Sequence, residues 1–168
     1  MTPEGRQLLI DILQRHGEEV VDQATDWVIA AALDLQGRRP RGETRALVAR
    51  VVSGNEAALL QDNTGPLLEL VDYVTSLRAT HEFHPSTLLR GFVSFRHALE
   101  GFLRAEANDG WTALDVLTAT DEVYSTVACR LADLYPAHLL TDKNDLIYQH
   151  IYDAYPSRTD NIYTHLTY

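Results

Sequence analysis

Apolar positions recur along this chain at steps of three and four residues, the period of one helical face. Leu8, Leu9, Ile12 and Leu13 form the first stripe, with Thr2 placed to cap it and Pro3 at its first position. Gly17 stops or bends that helix. Val20, Ala24, Trp27, Ala31 and Leu35 make the next apolar face, which ends at Gly37. A charged loop from Gly37 to Gly42 contains Pro40. The following helix runs from Glu43 to about Asp62 and carries Leu47, Val48, Val51, Val52 and Leu59, with Gly54 as a weak or kinked point inside it. Asn63-Thr64-Gly65-Pro66 reads as a break with Thr64 as the N-cap. Leu67, Leu70, Val71, Val74 and Leu77 then define a helix to about Thr80, and His81 to Pro85 reads as a turn.

The strongest stripe follows, with Ser86 as its cap. Leu88, Phe92, Phe95, Leu99 and Phe102 stand at steps of 4, 3, 4 and 3. After a short connection, residues Asp109 to Tyr135 continue for about seven turns. This long helix is apolar on two sides. Leu114, Leu117, Tyr124, Ala128 and Leu131 form one face; Val116, Val123, Val127 and Leu134 form the other. Both faces need cover. The bundle supplies one cover, and the same helix of a second subunit is the expected other, which assigns Val116, Val123 and Val127 to a homodimer interface. Pro136 interrupts or ends the helix, Leu139 to Ala154 resumes it, and Pro156 ends it. No strand pattern or internal repeat is present. The pattern predicts an all-α fold of six or seven helices with a long C-terminal helix. Residues 1–135 form the helical domain and 136–168 a helical extension or a linker to an output domain.

Composition narrows the functional classes. The chain has 168 residues and a net charge of −10, with acidic residues spread throughout. Such a field repels nucleic acid and anionic lipid, so neither is an expected partner. The longest apolar run, Trp27 to Leu33, is far short of the roughly 20 residues that span a bilayer. The one basic cluster is Arg38, Arg39 and Arg41, read as a solvated loop or a docking spot for an acidic partner. Cys129 is the sole cysteine, which excludes an intramolecular disulfide and fits a packed thiol in a reducing cytoplasm.

The middle of the chain carries a resemblance. Arg78, Phe83, Leu88-Leu89, Phe92, Phe95, Arg96 and Leu99 resemble the helical pair of RsbRD-type N-terminal domains. Those domains belong to bacterial stress-signalling co-antagonists of the RsbT kinase and also stand ahead of sensor histidine kinases. The likeness covers roughly Leu8 to Tyr135. It implies an all-helical, globin-like or helical-bundle sensor, usually dimeric, without haem in the characterised co-antagonists.

Few residues suggest chemistry. There is no Gly-rich phosphate loop, nucleophile elbow or paired acidic metal motif, so the domain itself is not expected to be an enzyme. His81 and His84 have a spacing that suits two metal ligands on one helical face, but Pro85 biases His84 away from helical geometry. His97, beside the stripe, is the candidate axial ligand if the domain binds haem. Phe92, Phe95, Phe102 and Trp111 are the candidate lining of a pocket for haem or another apolar ligand. Tyr148, Tyr152 and Tyr155 share a helical face and read as packing residues.

Asp121 falls between Leu117 and Tyr124, where the long helix should be apolar, and a carboxylate there needs a partner. Arg96 or Arg78 is the expected partner, as a regulatory pair that fixes helix register more than it stabilises. The expected role is a cytoplasmic input domain that dimerises and relays a conformational signal to an output domain or regulatory protein. The alternative is a haem- or apolar-ligand-binding globin-like sensor.

Overall fold

Gly17 does not end the first helix. α1 runs unbroken from Pro3 to Ala31. A helical glycine costs about 0.5–1 kcal/mol. The stripe on either side of it outweighs that cost, because Leu9, Ile12, Val20, Ala24 and Val28 are all buried. The computed structural model describes residues 1–31, 40–78 and 85–154, with side chains placed at 1–31, 40–76 and 86–134. The remaining helices are α2 (Arg41–Gln61), α3 (Gly65–Arg78), α4 (Pro85–Glu106) and α5 (Gly110–Ala154). The described residues are all-helical, with five helices in place of the expected six or seven. Two expected breaks, at Gly17 and Pro136, are helical interior.

Pro136 is the more costly of the two. It has no N–H to give the Ala132 carbonyl, and a proline inside a helix costs about 3 kcal/mol. The α5 backbone is nonetheless helical through it. Ala132 is exposed, so water can take its orphaned acceptor. Pro85 also differs from expectation. It is the first residue of α4, where its fixed φ is favourable, and Ser86 lies inside the helix.

Residues Met1–Leu131 form one compact unit. A second begins at Ala132, and its described part is the α5 backbone to Ala154. In the first unit α1 packs against α2 and α4, and α2 against α3 and α4. The core is built from Leu9, Ile12 and Val20 of α1, Val51 and Leu59 of α2, Leu67 and Leu70 of α3, and Phe95, Leu99 and Leu103 of α4. Gly54 has a specific reason to be glycine. A Cβ there would lie 2.7 Å from Leu67 Cδ1 and 3.3 Å from Leu67 Cα, so its absence lets α3 start against α2. Asp62 ends α2 in the left-handed region at φ 51°, and its N–H reaches the Ala57 carbonyl.

Four buried side chains are satisfied within their own helices, whereas the buried Thr44 hydroxyl has no hydrogen-bond partner among the described residues. Thr25, Thr75 and Thr120 donate to the carbonyls of Val21, Val71 and Val116, and Asn55 donates to that of Val51. No tertiary partner is needed for these groups, which leaves the helices free to pack through apolar contact. The ion pairs between α1 and α2 lie on the surface. Arg41 reaches Asp22 and Asp26, and Arg45 reaches Asp22 and Glu18, fastening α2 to α1. Arg41 thus already has intramolecular partners, while Arg38 and Arg39 lie outside the described residues.

Candidate functional site along the long helix

The first half of α5 is set by its cap and one buried stripe. Asp109 caps it: the Thr112 N–H donates to Oδ1 at 2.8 Å and the Thr112 hydroxyl to Oδ2 at 3.0 Å. Those bonds hold the Asp109 carboxyl below the usual carboxylate range. Val116, Thr120, Val127 and Leu131 are all buried, at steps of 4, 7 and 4. That spacing describes a single line down one face.

Three polar fastenings tie this half of α5 to three different helices. The Thr2 N–H and hydroxyl, at the start of α1, both donate to Asp115 Oδ2 at 2.7 Å. Thr2 Oγ1 in turn accepts from the Gly5 N–H at 3.1 Å, so the residue that caps α1 also grips α5. A Cβ on Gly5 would fall 2.5 Å from Asp115 Oδ2, so a side chain there would push the carboxylate away from Thr2. The Thr2 donors hold the Asp115 carboxyl below its ordinary range, the backbone N–H first and the hydroxyl next. In the second fastening, Arg96 Nε of α4 donates to Asp121 Oδ1 at 2.7 Å. In the third, Arg130 forks onto Asp72 of α3, Nε to Oδ1 at 2.9 Å and Nη2 to Oδ2 at 3.0 Å. That two-pronged bond lowers the Asp72 carboxyl likewise.

Asp121 and Asp72 are about half exposed. Exposed ion pairs contribute about 0–1 kcal/mol each. The buried stripe therefore supplies most of the docking energy, and the fastenings chiefly fix register. A cleft of about 290 Å³ opens beside α5, where Glu122 and Val123 face Met1, Arg6, Leu59 and Asp62. Arg6 is occupied in part: its Nη1 donates to the Leu60 carbonyl at 2.7 Å, at the end of α2.

Several expected site residues stand elsewhere. Val116 and Val127 have 0% and 1% exposure in the single chain, so their own bundle already shelters them; Val123 is half-buried. Among the described side chains of this helix, the exposed large apolar ones are Trp111 at 81% and Leu114 at 51% exposure. The four proposed pocket aromatics do not gather. Phe92 and Phe95 are core, Phe102 stacks on His16 with centroids 4.9 Å apart, and Trp111 faces solvent. His97 is exposed and stacks on Trp27 at 4.3 Å, a packing contact in place of an enclosed axial position. Cys129 is exposed rather than packed.

His81 and His84 lie outside the described residues, as do the side chains of Arg78, Tyr148, Tyr152 and Tyr155. Among the described residues no group of three or more His, Cys, Asp and Glu side chains is placed to hold a metal ion. No described helix is long and apolar enough to cross a membrane.

Sequence reasoning singled out Arg96 and Asp121 because a charge interrupts an apolar stripe. It missed Thr2 with Asp115 and Asp72 with Arg130. Their partners are 113 and 58 residues apart, and no local pattern marks them. Compared with known proteins, the chain matches no family model, and no curated protein or solved structure is significantly similar to it.

Proposed function

We infer that this chain is a non-catalytic regulatory module in which α5 is the coupling element, passing a conformational state to an attached output domain or a separate protein partner. One observation carries the reading. A single buried stripe docks the first half of α5, fastenings of low individual strength set its register, and the same helix continues to Ala154. An element held this way has a docked and a released arrangement that a partner can bind unequally, which is what a relay requires. The resemblance to RsbRD-type sensor domains points the same way. An exposed, unpaired thiol at Cys129 suits a reducing, cytoplasmic setting.

Native-state hydrogen exchange on the full chain tests this. The amides of α5 from Gly110 to Leu131 are expected to open together at a free energy below that of global unfolding. Arg130→Ala is expected to raise that open population by up to about fivefold, the equivalent of about 1 kcal/mol. Exchange of α5 only together with α1 to α4 would overturn the relay reading.

A further inference from the structure

Trp111 and Leu114 occupy the first two turns of α5 and point outward. At 81% exposure, Trp111 is the most exposed large apolar side chain among the described residues. Residues 111, 114, 115 and 118 fall on one stretch of helical surface. Carboxylates border it. Asp109 lies at the cap and Asp115 one turn on, and hydrogen bonds from Thr112 and Thr2 keep both ionised. Glu4 is exposed in the first turn of α1, next to Thr2, which holds Asp115. The Met1 amino group offsets part of this charge. The whole chain, at −10, reinforces the rest.

We propose that this corner is a docking site for a basic, amphipathic peptide segment of a protein partner. An apolar side chain of the segment rests on Trp111 and Leu114, and its Lys or Arg residues meet Asp109, Asp115 and Glu4. The charge decides between occupants. A second copy would set the same acidic rim against itself, and like charges facing across an interface oppose association. Anionic lipid and nucleic acid meet the same repulsion. A basic segment gains from the rim, and an arginine gains further from the open face of the indole. This assignment stands apart from the relay reading: it concerns what binds at the start of α5, whether or not the helix moves.

A fluorescein-labelled Leu/Lys amphipathic helix of about 15 residues is the probe, and a Leu/Glu helix of equal length is the control. Anisotropy titrations use the full chain. Saturable binding of the Leu/Lys peptide is expected, weakening at least about tenfold from about 0.05 M to about 0.5 M salt. Trp111→Ala is expected to weaken it about tenfold or more, as loss of a central aromatic anchor does. That side chain is solvent-facing, so the fold is retained, and circular dichroism verifies this. Glu4→Gln is expected to weaken binding by about twofold. Equal binding by Trp111→Ala, or equal binding of the Leu/Glu helix, would overturn the proposal. Self-association by sedimentation that Trp111→Ala abolishes would also overturn it, by showing a second copy in the place assigned to the peptide. Hydrogen exchange of α5 is read separately, so failure of either idea leaves the other intact.

Discussion

Val116 and Leu114 lie two residues apart on α5, yet the first has no solvent contact and the second is half exposed. Both are aliphatic, and both sit in apolar stripes of similar strength. The difference comes from what faces them. Val116 belongs to the line that Thr120, Val127 and Leu131 continue into the core, whereas Leu114 shares its side with Trp111 and looks outward. The inward side is a packing surface, whose loss removes stability. The outward side is a surface for something else, whose loss should leave stability alone.

The sharpest way to break that contrast is to truncate each side. Leu131→Ala is expected to cost about 2–5 kcal/mol in denaturant unfolding, the range for a buried leucine. Leu114→Ala should stay within about 0.5 kcal/mol of wild type. Equal losses would mean that the outward side is also structural. Gly54→Ala comes next. Its methyl would meet both the side chain and the backbone of Leu67, so a loss of about 1–3 kcal/mol is expected by thermal unfolding.

Thr2→Ala removes the cap of α1 and the hydroxyl donor to Asp115 while keeping the backbone N–H donor, with an expected cost of about 1 kcal/mol. The same joint predicts acid sensitivity. The folded-state carboxyls of Asp115 and Asp72 titrate below their unfolded values. Their contribution is therefore present above the unfolded value of about 3.9 and is lost as pH falls through the lower folded value. Urea midpoints measured downward from about pH 6 should fall less steeply in Asp115→Asn than in wild type below about pH 4.

Gly17→Ala should move stability the other way, upward by about 0.5–1 kcal/mol, because its methyl meets nothing within 4 Å and the backbone is helical. The smallest effect belongs to the surface pair. A double-mutant cycle on Arg96→Ala and Asp121→Ala should give a coupling of about 0.2–1 kcal/mol.

The helical class was legible because stripes such as Leu88 to Phe102 admit only one period. Helix number was less so. Gly17 and Pro136 carry local costs of about 1 and 3 kcal/mol, and a stripe such as Val20, Ala24 and Val28 exceeds the first of these once it is buried. Cost without context reads as a stop. The faces of α5 were legible as apolar but not as inward or outward, since a single helix pattern contains no information on what lies opposite. Val116 and Val127, expected to face outward, are buried within the single chain. The Arg96 and Asp121 contact was readable from a charge out of place; Asp115 and Arg130 sit at ordinary surface positions and announce nothing.

The bare position at Gly5 has a consequence for how the chain comes together. It lets a carboxylate 113 residues away complete the first turn of α1. During synthesis from the N-terminus, that turn emerges early but lacks its brace until Asp115 has left the ribosome. The first turn of α1 is thus made well before the residue that locks it.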